Sequence, residues 1–257
     1  MLNYRNTNKA FIALIIILVI YQLYFGASFG IYAFAIIPYI LVLVYGSCFI
    51  GSGFYLPVIC DAKTEKKHIA LSFDDGPDAE FTPAILDILK KNEVEAAFFL
   101  IGKRLEDHPS ISQLIDAQGH IIGNHSYSHD AWFDLYSSKK MKEDLKRVND
   151  LVKQLTGKYP QLFRPPYGVT NPNLAKAVKD GEYISIGWNI RSFDTVIHNK
   201  EKLLRRILND LKPGAIILLH DTSPTMVSIL PDLINQIKSH GFELIRLDKM
   251  LNLQAYA

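Results

Sequence analysis

Cysteine is nearly absent: Cys48 and Cys60 are the only two in 257 residues, too few for a disulfide framework and without the paired spacing of a zinc-cysteine site. An excess of either charge is missing too. Against 26 acidic residues stand 28 Lys and Arg with no basic block, so nucleic acid is not expected as a partner. There is no internal repeat or low-complexity tract, and 49% hydrophobic residues exclude a disordered or collagen-like chain. The sharpest deficiency is local. No Asp, Glu, Lys, Arg or His occurs from Ala10 to Cys60, whereas the chain beyond Cys60 carries every acidic group and every basic one except Arg5 and Lys9. A charge-free run of that length cannot be an ordinary soluble surface.

The run holds two stretches near the 20 or so apolar residues that a transmembrane helix needs, Phe11 to Phe29 and Ile31 to Phe49. Between them, Gly26-Ala27-Ser28-Phe29-Gly30 is the most helix-averse part, so a hairpin of two spans is expected. Pro38 is tolerated inside a membrane helix packed on a neighbour. Ile50 to Cys60 is too short to span and reads as an interfacial or re-entrant lead into the following domain. A cleaved signal peptide would also fit Arg5, Lys9 and the small residues Gly26-Ala27-Ser28, but the second apolar stretch argues against that being all. Parity follows: a first span held inside by Arg5 and Lys9, then a second, returns the chain to the cytoplasm, and Lys63, Lys66 and Lys67 favour the same side. The expected organisation is a membrane anchor over 1–60, a linker over 61–67, a folded domain outside the bilayer over 68–250 and a tail over 251–257.

From His68 onward, short apolar strands alternate with amphipathic stretches, the rhythm of βα units and a mostly parallel sheet or barrel. The expected strands are His68–Phe73, Val94–Ile101, His120–Ile122, Tyr183–Trp188, Ala215–Leu219 and Glu243–Leu247. Thr82-Pro83 reads as an N-cap and first helical residue opening Ala84–Lys91. Met141, Leu145, Val148, Val152 and Leu155 form the buried stripe of a surface helix whose many charges are expected to face water.

Chemistry in such sheets collects at the carboxyl ends of the strands, and there the sequence is unusually polar. The first strand runs into Ser72-Phe73-Asp74-Asp75-Gly76-Pro77. The third leads to His125 and His129, at i, i+4, which share one face if the segment is helical. Arg164-Pro165-Pro166-Tyr167-Gly168 follows, then Trp188 with Asp194, then Leu218-Leu219-His220-Asp221. Singly, each has a plain alternative: a solvated turn, a surface histidine pair, a polyproline linker, a satisfied strand-end histidine. Together they outline a site. One carboxylate and two neutral imidazoles make a three-ligand zinc site with an open position, the hydrolytic pattern. With Asp75 on the cation, Asp74 stays ionised as a base, Arg164 orients it, and His220 is a separate acid.

These five segments resemble the motifs of the polysaccharide deacetylase (NodB-homology) family, carbohydrate esterase family four, over roughly His68 to Leu247. The resemblance implies an α/β fold, a distorted (β/α) barrel with an open groove, here preceded by the transmembrane hairpin. It implies a divalent metal, usually zinc, on Asp75, His125 and His129, with Asp74 as base, His220 as acid and Arg164 holding Asp74. By the same carry-over, the Tyr167 backbone N–H joins in stabilising the oxyanion, Leu218 lines the acetyl pocket and Asp194 orients His220. One motif departs: where the family often shows Asp-x-x-Asp-Trp, this chain reads Arg191-Ser192-Phe193-Asp194-Thr195, keeping only the second Asp. The expected activity is removal of N-acetyl groups from an N-acetylated glycan or glycolipid by a membrane-bound enzyme, with no protein partner implied. The rivals are a deacetylase or deformylase of a polyprenyl-linked sugar, and a catalytically inactive glycan-binding protein on the same barrel.

Overall fold

The computed structural model describes residues 2–26 and 28–257. Ala27, at the middle of the expected hairpin turn, lies outside them. Helix α1 spans Tyr4–Phe25, capped by the Asn3 side chain on Asn6 N and closed by Gly26 at φ 61, the left-handed conformation that glycine adopts without a Cβ penalty. A 3-10 turn, Phe29–Tyr32, leads into α2, Ala33–Cys48, which carries Pro38 without breaking. By length and composition, α1 and the Phe29–Cys48 segment are each able to cross a bilayer. Their apolar side chains point outward, Leu23 and Phe34 being 79% and 84% exposed. Between them run two side-chain hydrogen bonds, Tyr39 to Asn8 and Tyr32 to Gln22, and Phe11 stacks on Tyr39. The backbone N–H of Tyr4 donates to the carbonyl of Phe54 at 3.0 Å, so the start of α1 and the exit from α2 lie at the same end of the hairpin.

The rest is built on eight strands: β1 His68–Asp74, β2 Ala97–Leu100, β3 Ile121–Asn124, β4 Leu162–Phe163, β5 Ile184–Ser185, β6 Ile190–Arg191, β7 Ala215–His220 and β8 Glu243–Leu244. All ladders are parallel, in the order β5-β4-β3-β2-β1-β7-β6, with β8 beside the start of β1. Helices α3 (Phe81–Lys91), α4 (Gly102–Asp107), α5 (Pro109–Ala117), α6 (Ser138–Thr156), α7 (Pro172–Asp180), α8 (Lys200–Asn209), α9 (Pro224–Ser239) and α10 (Leu247–Leu251) complete it. The central strands are apolar without alternation because both faces are covered, as a parallel sheet requires. The sheet has to curl. Its edge strands β5 and β6 are joined by 186–189 alone, a reach of at most about 17 Å, whereas seven flat strands are about 29 Å wide. The result is a parallel half-barrel whose seam is bordered by 186–189.

Several expected elements are shorter or differently opened. Only Ile184–Ser185 of the expected Tyr183–Trp188 strand joins the ladder, because the chain then leaves to cross the seam. Strands β4 and β6 have two residues each, too few to show any periodicity. Helix α3 begins at Phe81 rather than after Thr82. Asp78 Oδ1 accepts from Glu80 N and Phe81 N, and the Thr82 hydroxyl is engaged instead with the Asp221 carboxylate. The segments on either side of the barrel strands also pair with it: Ile59 bridges Ile186, Asp61 bridges Ala215, and Tyr256 accepts a hydrogen bond from Ile122 N. At the helical hairpin, Thr170 donates its N–H to Ser47 O and its hydroxyl to Gly46 O, satisfying carbonyls at the end of α2. Thus α2 is pinned directly to the loop that follows Arg164-Pro165-Pro166-Tyr167-Gly168.

Candidate active site

Strand ends deliver the polar groups to one cavity of about 310 Å3, bordered by Asp74, Asp75, His125, His129, Leu218 and His220, with Tyr167 and Arg191 at its margin. Arg164 and Asp194 lie behind that wall, both fully buried. All nine residues singled out from the sequence therefore meet here.

Asp74 ends β1, and Asp75 follows in the left-handed region at φ 74, so the two carboxylates leave the strand in different directions. Asp74 Oδ1 accepts from Arg164 Nη1 at 2.7 Å, and its Oδ2 lies 3.8 Å from His125 Nε2. The same Nη1 reaches Ser72 Oγ, while Nε and Nη2 donate to the carbonyls of Ile186 and Gly187. The guanidinium therefore ties β1 to the seam as well as holding Asp74, and its charge is satisfied on every side, the condition for burying it.

The histidine segment is not helical, so the condition for a shared helix face is not met. Ser126 and His129 have φ of 64 and 42, Ser126 N donates to Asn124 Oδ1, and His129 N donates to Ser126 Oγ. A tight loop thus brings the two imidazoles within 4.9 Å, centroid to centroid. Its remaining amides are held by a residue that the sequence did not single out. Asp144, on α6, accepts from Tyr127 N at 2.7 Å and Ser128 N at 3.2 Å, and burial raises its carboxyl above the usual range. One member of that helix's charge run is therefore a clamp, not solvated surface. Asn124 and Asn149 form a second buried tie, from the end of β3 to α6 and on to Pro160 O.

Asp75 Oδ1 lies 3.5 Å from His125 Nε2 and 3.3 Å from His129 Nε2, and the three donor atoms are all within 4.8 Å of one another. A tetrahedral zinc with bonds of about 2.1 Å sets its donors about 3.4 Å apart, so the donor set fits a cation of that kind. The outer atom of His125 is also fixed: Nδ1 meets the Arg164 carbonyl at 2.8 Å, which leaves Nε2 facing Asp75. Burial would raise the Asp75 carboxyl, but the hydrogen bond and charge of His125, with His129 and His220, hold it below the usual range. Burial likewise opposes charge on His125, which the Asp74 and Asp75 carboxylates nonetheless raise; His129, buried and facing that charge, is pushed down to about 4.

Across the cavity, His220 is held twice by Asp194: its N–H donates to Oδ2 at 2.7 Å and its Nδ1 meets Oδ1 at 2.8 Å. Ser192, a residue of the departing motif with no role read from sequence, donates to the same Oδ1. Burial lowers the His220 imidazole, but the hydrogen bond and charge of Asp194 win and raise it to about 9. Tyr167 sits at φ 58 on the rim, half exposed, its ring 4.7 Å from that of His129. Strained backbone of this kind concentrates at functional sites. Leu218, 2% exposed, closes the apolar side of the cavity.

Comparison with known proteins agrees with this architecture. A family model described as polysaccharide deacetylase matches residues 61–185. A peptidoglycan-N-acetylglucosamine deacetylase of Bacillus cereus is 34% identical over 189 residues, covering 72% of this chain and 68% of the relative. Against that of Listeria monocytogenes, 32% identical over 202 residues, 79% of this chain spans 42% of the relative's length. A crystal structure of a peptidoglycan N-acetylglucosamine deacetylase superposes with a TM-score of 0.74 at 31% identity, covering 78% of this chain and 95% of that one. The chain belongs to the polysaccharide deacetylase family, a family of carbohydrate N-deacetylases. The same fold also includes a pseudoenzyme of Bacillus anthracis, 28% identical with a TM-score of 0.70 over 76% of this chain and 69% of that one. Fold alone therefore does not decide activity; the side chains do.

Proposed function

We propose that this protein is a membrane-anchored, metal-dependent hydrolase that removes N-acetyl groups from an N-acetylated glycan. The observation that carries the reading is the convergence on one cavity of a carboxylate held by Arg164, a Asp75–His125–His129 donor set and a histidine held by Asp194. A divalent cation on Asp75, His125 and His129, zinc by the donor types, supplies Lewis acidity when bound, acidifying water and polarising the amide carbonyl. Arg164 occupies Asp74 Oδ1, so Oδ2 is the atom left to take the proton from the attacking water. The Tyr167 backbone N–H donates to the developing oxyanion, and Leu218 receives the acetyl methyl. His220, charged at neutral pH and tied by Nδ1 to Asp194, gives its Nε2 proton to the departing nitrogen. The products are acetate and the free amine. Retention of both carboxylates, all three histidines and Arg164 argues against an inactive glycan-binding role. Acetate release from N-acetylglucosamine oligomers tests the reading, and failure to release acetate from any N-acetylated sugar, with zinc added, would sink it.

The acid role carries its own expectation. As pH rises through about 9, His220 loses its proton and turnover falls. His220→Ala lowers turnover on the amide far more than on an activated ester, whose leaving group needs no protonation. Equal losses on both would make His220 a structural residue.

A second reading keeps the chemistry and changes the substrate to a polyprenyl-linked sugar, with acetyl or formyl as the group removed. Thr170, two residues past the cavity-lining Gly168, caps the end of α2, which holds the cavity near the membrane if the hairpin spans it. The Tyr4–Phe54 contact supports a domain on the same side as the N-terminus, and Arg5 and Lys9 favour the cytoplasm for both.

A further inference from the structure

We infer that Arg191 selects substrates whose sugar bears an anion, a carboxylate or a phosphate, beside the N-acyl group. The inference rests on the hydrolase reading above and deepens it. Arg191 ends β6, paired with Leu218 of β7, and lines the catalytic cavity. Family resemblance leads one to expect an aspartate there, so this margin of the cavity has reversed its charge.

The guanidinium is free to bind. Among the described residues it rests on aromatic rings, 4.7 Å from the centroid of Phe193 and 5.8 Å from that of Trp188, rather than on a carboxylate. Rings hold the plane of a guanidinium while leaving its N–H edge open to a planar, bidentate acceptor. The support is itself built. Phe193 sits at φ 61, a conformation costly for a bulky residue, and is flanked by Arg206, whose guanidinium lies 4.4 Å from the same ring. Arg206 Nε also donates to the Arg191 carbonyl at 3.1 Å, binding α8 to the end of β6. Two arginines and a strained phenylalanine thus present one unpaired cation to the cavity.

The other charges facing this space are accounted for. Asp74 is paired with Arg164, His220 with Asp194, and Asp75 faces the histidines and the cation they fit. None of them neutralises Arg191, and an anion on the sugar does so without disturbing the others. A carboxylate points to an acid-substituted glycan, and a phosphate to a sugar linked to a lipid through phosphate.

The test uses the full-length chain in nanodiscs with zinc. Acetate release is measured on N-acetylglucosamine, its 6-phosphate, its 1-phosphate and its lactyl ether, N-acetylmuramic acid. At least one anionic sugar is expected to exceed the neutral one in kcat/KM. In Arg191→Gln, the ratio of anionic to neutral falls roughly 10- to 100-fold, the worth of a charge-assisted contact, with Arg191→Lys between. Which anionic sugar responds tells carboxylate from phosphate. Calorimetric binding of the same four sugars to Asp74→Asn, with and without Arg191→Gln, reads the contact without turnover, and its salt dependence disappears with Arg191. An unchanged ratio, or equal binding of neutral and anionic sugars, overturns the assignment of Arg191. Absence of acetate release while the binding preference persists would instead count against the hydrolase reading and leave the anion site standing.

Discussion

Replacing His125 or His129 with alanine will abolish metal retention and acetate release together while leaving the fold in place. Each imidazole supplies one of the three donor atoms that lie within 4.8 Å of one another, and alanine puts no donor in its place. Loss of even an outer-shell partner costs about 10- to 100-fold in metal affinity, so loss of a donor will cost more. The barrel core is built from apolar side chains of the strands and covering helices, whereas His125 is buried at the cavity beyond the end of β3 and His129 is only partly buried. Metal content after dialysis, acetate release and thermal unfolding, measured on the same preparations, check this. Full activity of the wild type after exhaustive chelation would refute the metal hypothesis outright.

Asp74→Asn will keep the metal and lose about 10²- to 10⁴-fold in turnover, the usual contribution of a general base. Asparagine preserves the shape and an oxygen for Arg164, so the buried guanidinium keeps a partner, but it cannot accept a proton from water at neutral pH. Asp75→Asn will act differently, weakening the metal itself, because Asp75 Oδ1 is the carboxylate oxygen that faces Nε2 of both imidazoles, at 3.5 Å and 3.3 Å. Metal titration of the two variants separates the roles. Equal metal loss in both would mean that the adjacent carboxylates share one function.

Most of the candidate site was legible because it is written in contiguous segments. Ser72-Phe73-Asp74-Asp75, His125 with His129, and Leu218 with His220 each follow a strand whose apolar run is visible locally, whereas Arg164 with Tyr167 stands out only as a motif, after the two-residue β4. The hairpin was legible for the same reason, since a run without charge needs no tertiary information to exclude a watery surface. Strands β4 and β6 were not: two residues carry no period, and they pair only because longer neighbours offer an edge.

The sequence by itself determined which polar groups gather at the candidate site and roughly where the chain turns. Only the tertiary structure decided how they are held. Asp144 lies on a helix that reads as charged surface, and nothing local marks it as the clamp on the histidine loop, because its partners are 16 and 17 residues away. Arg164 looks like part of a proline-rich turn, yet it spans the barrel to meet Asp74, 90 residues earlier, and closes the seam at Ile186 and Gly187. Arg191 reads as a departure from a motif until the curl of the sheet turns its strand end toward the cavity. Local pattern reports periodicity and propensity, whereas the pairing of buried charges is set by the long-range contacts that a closed parallel sheet imposes.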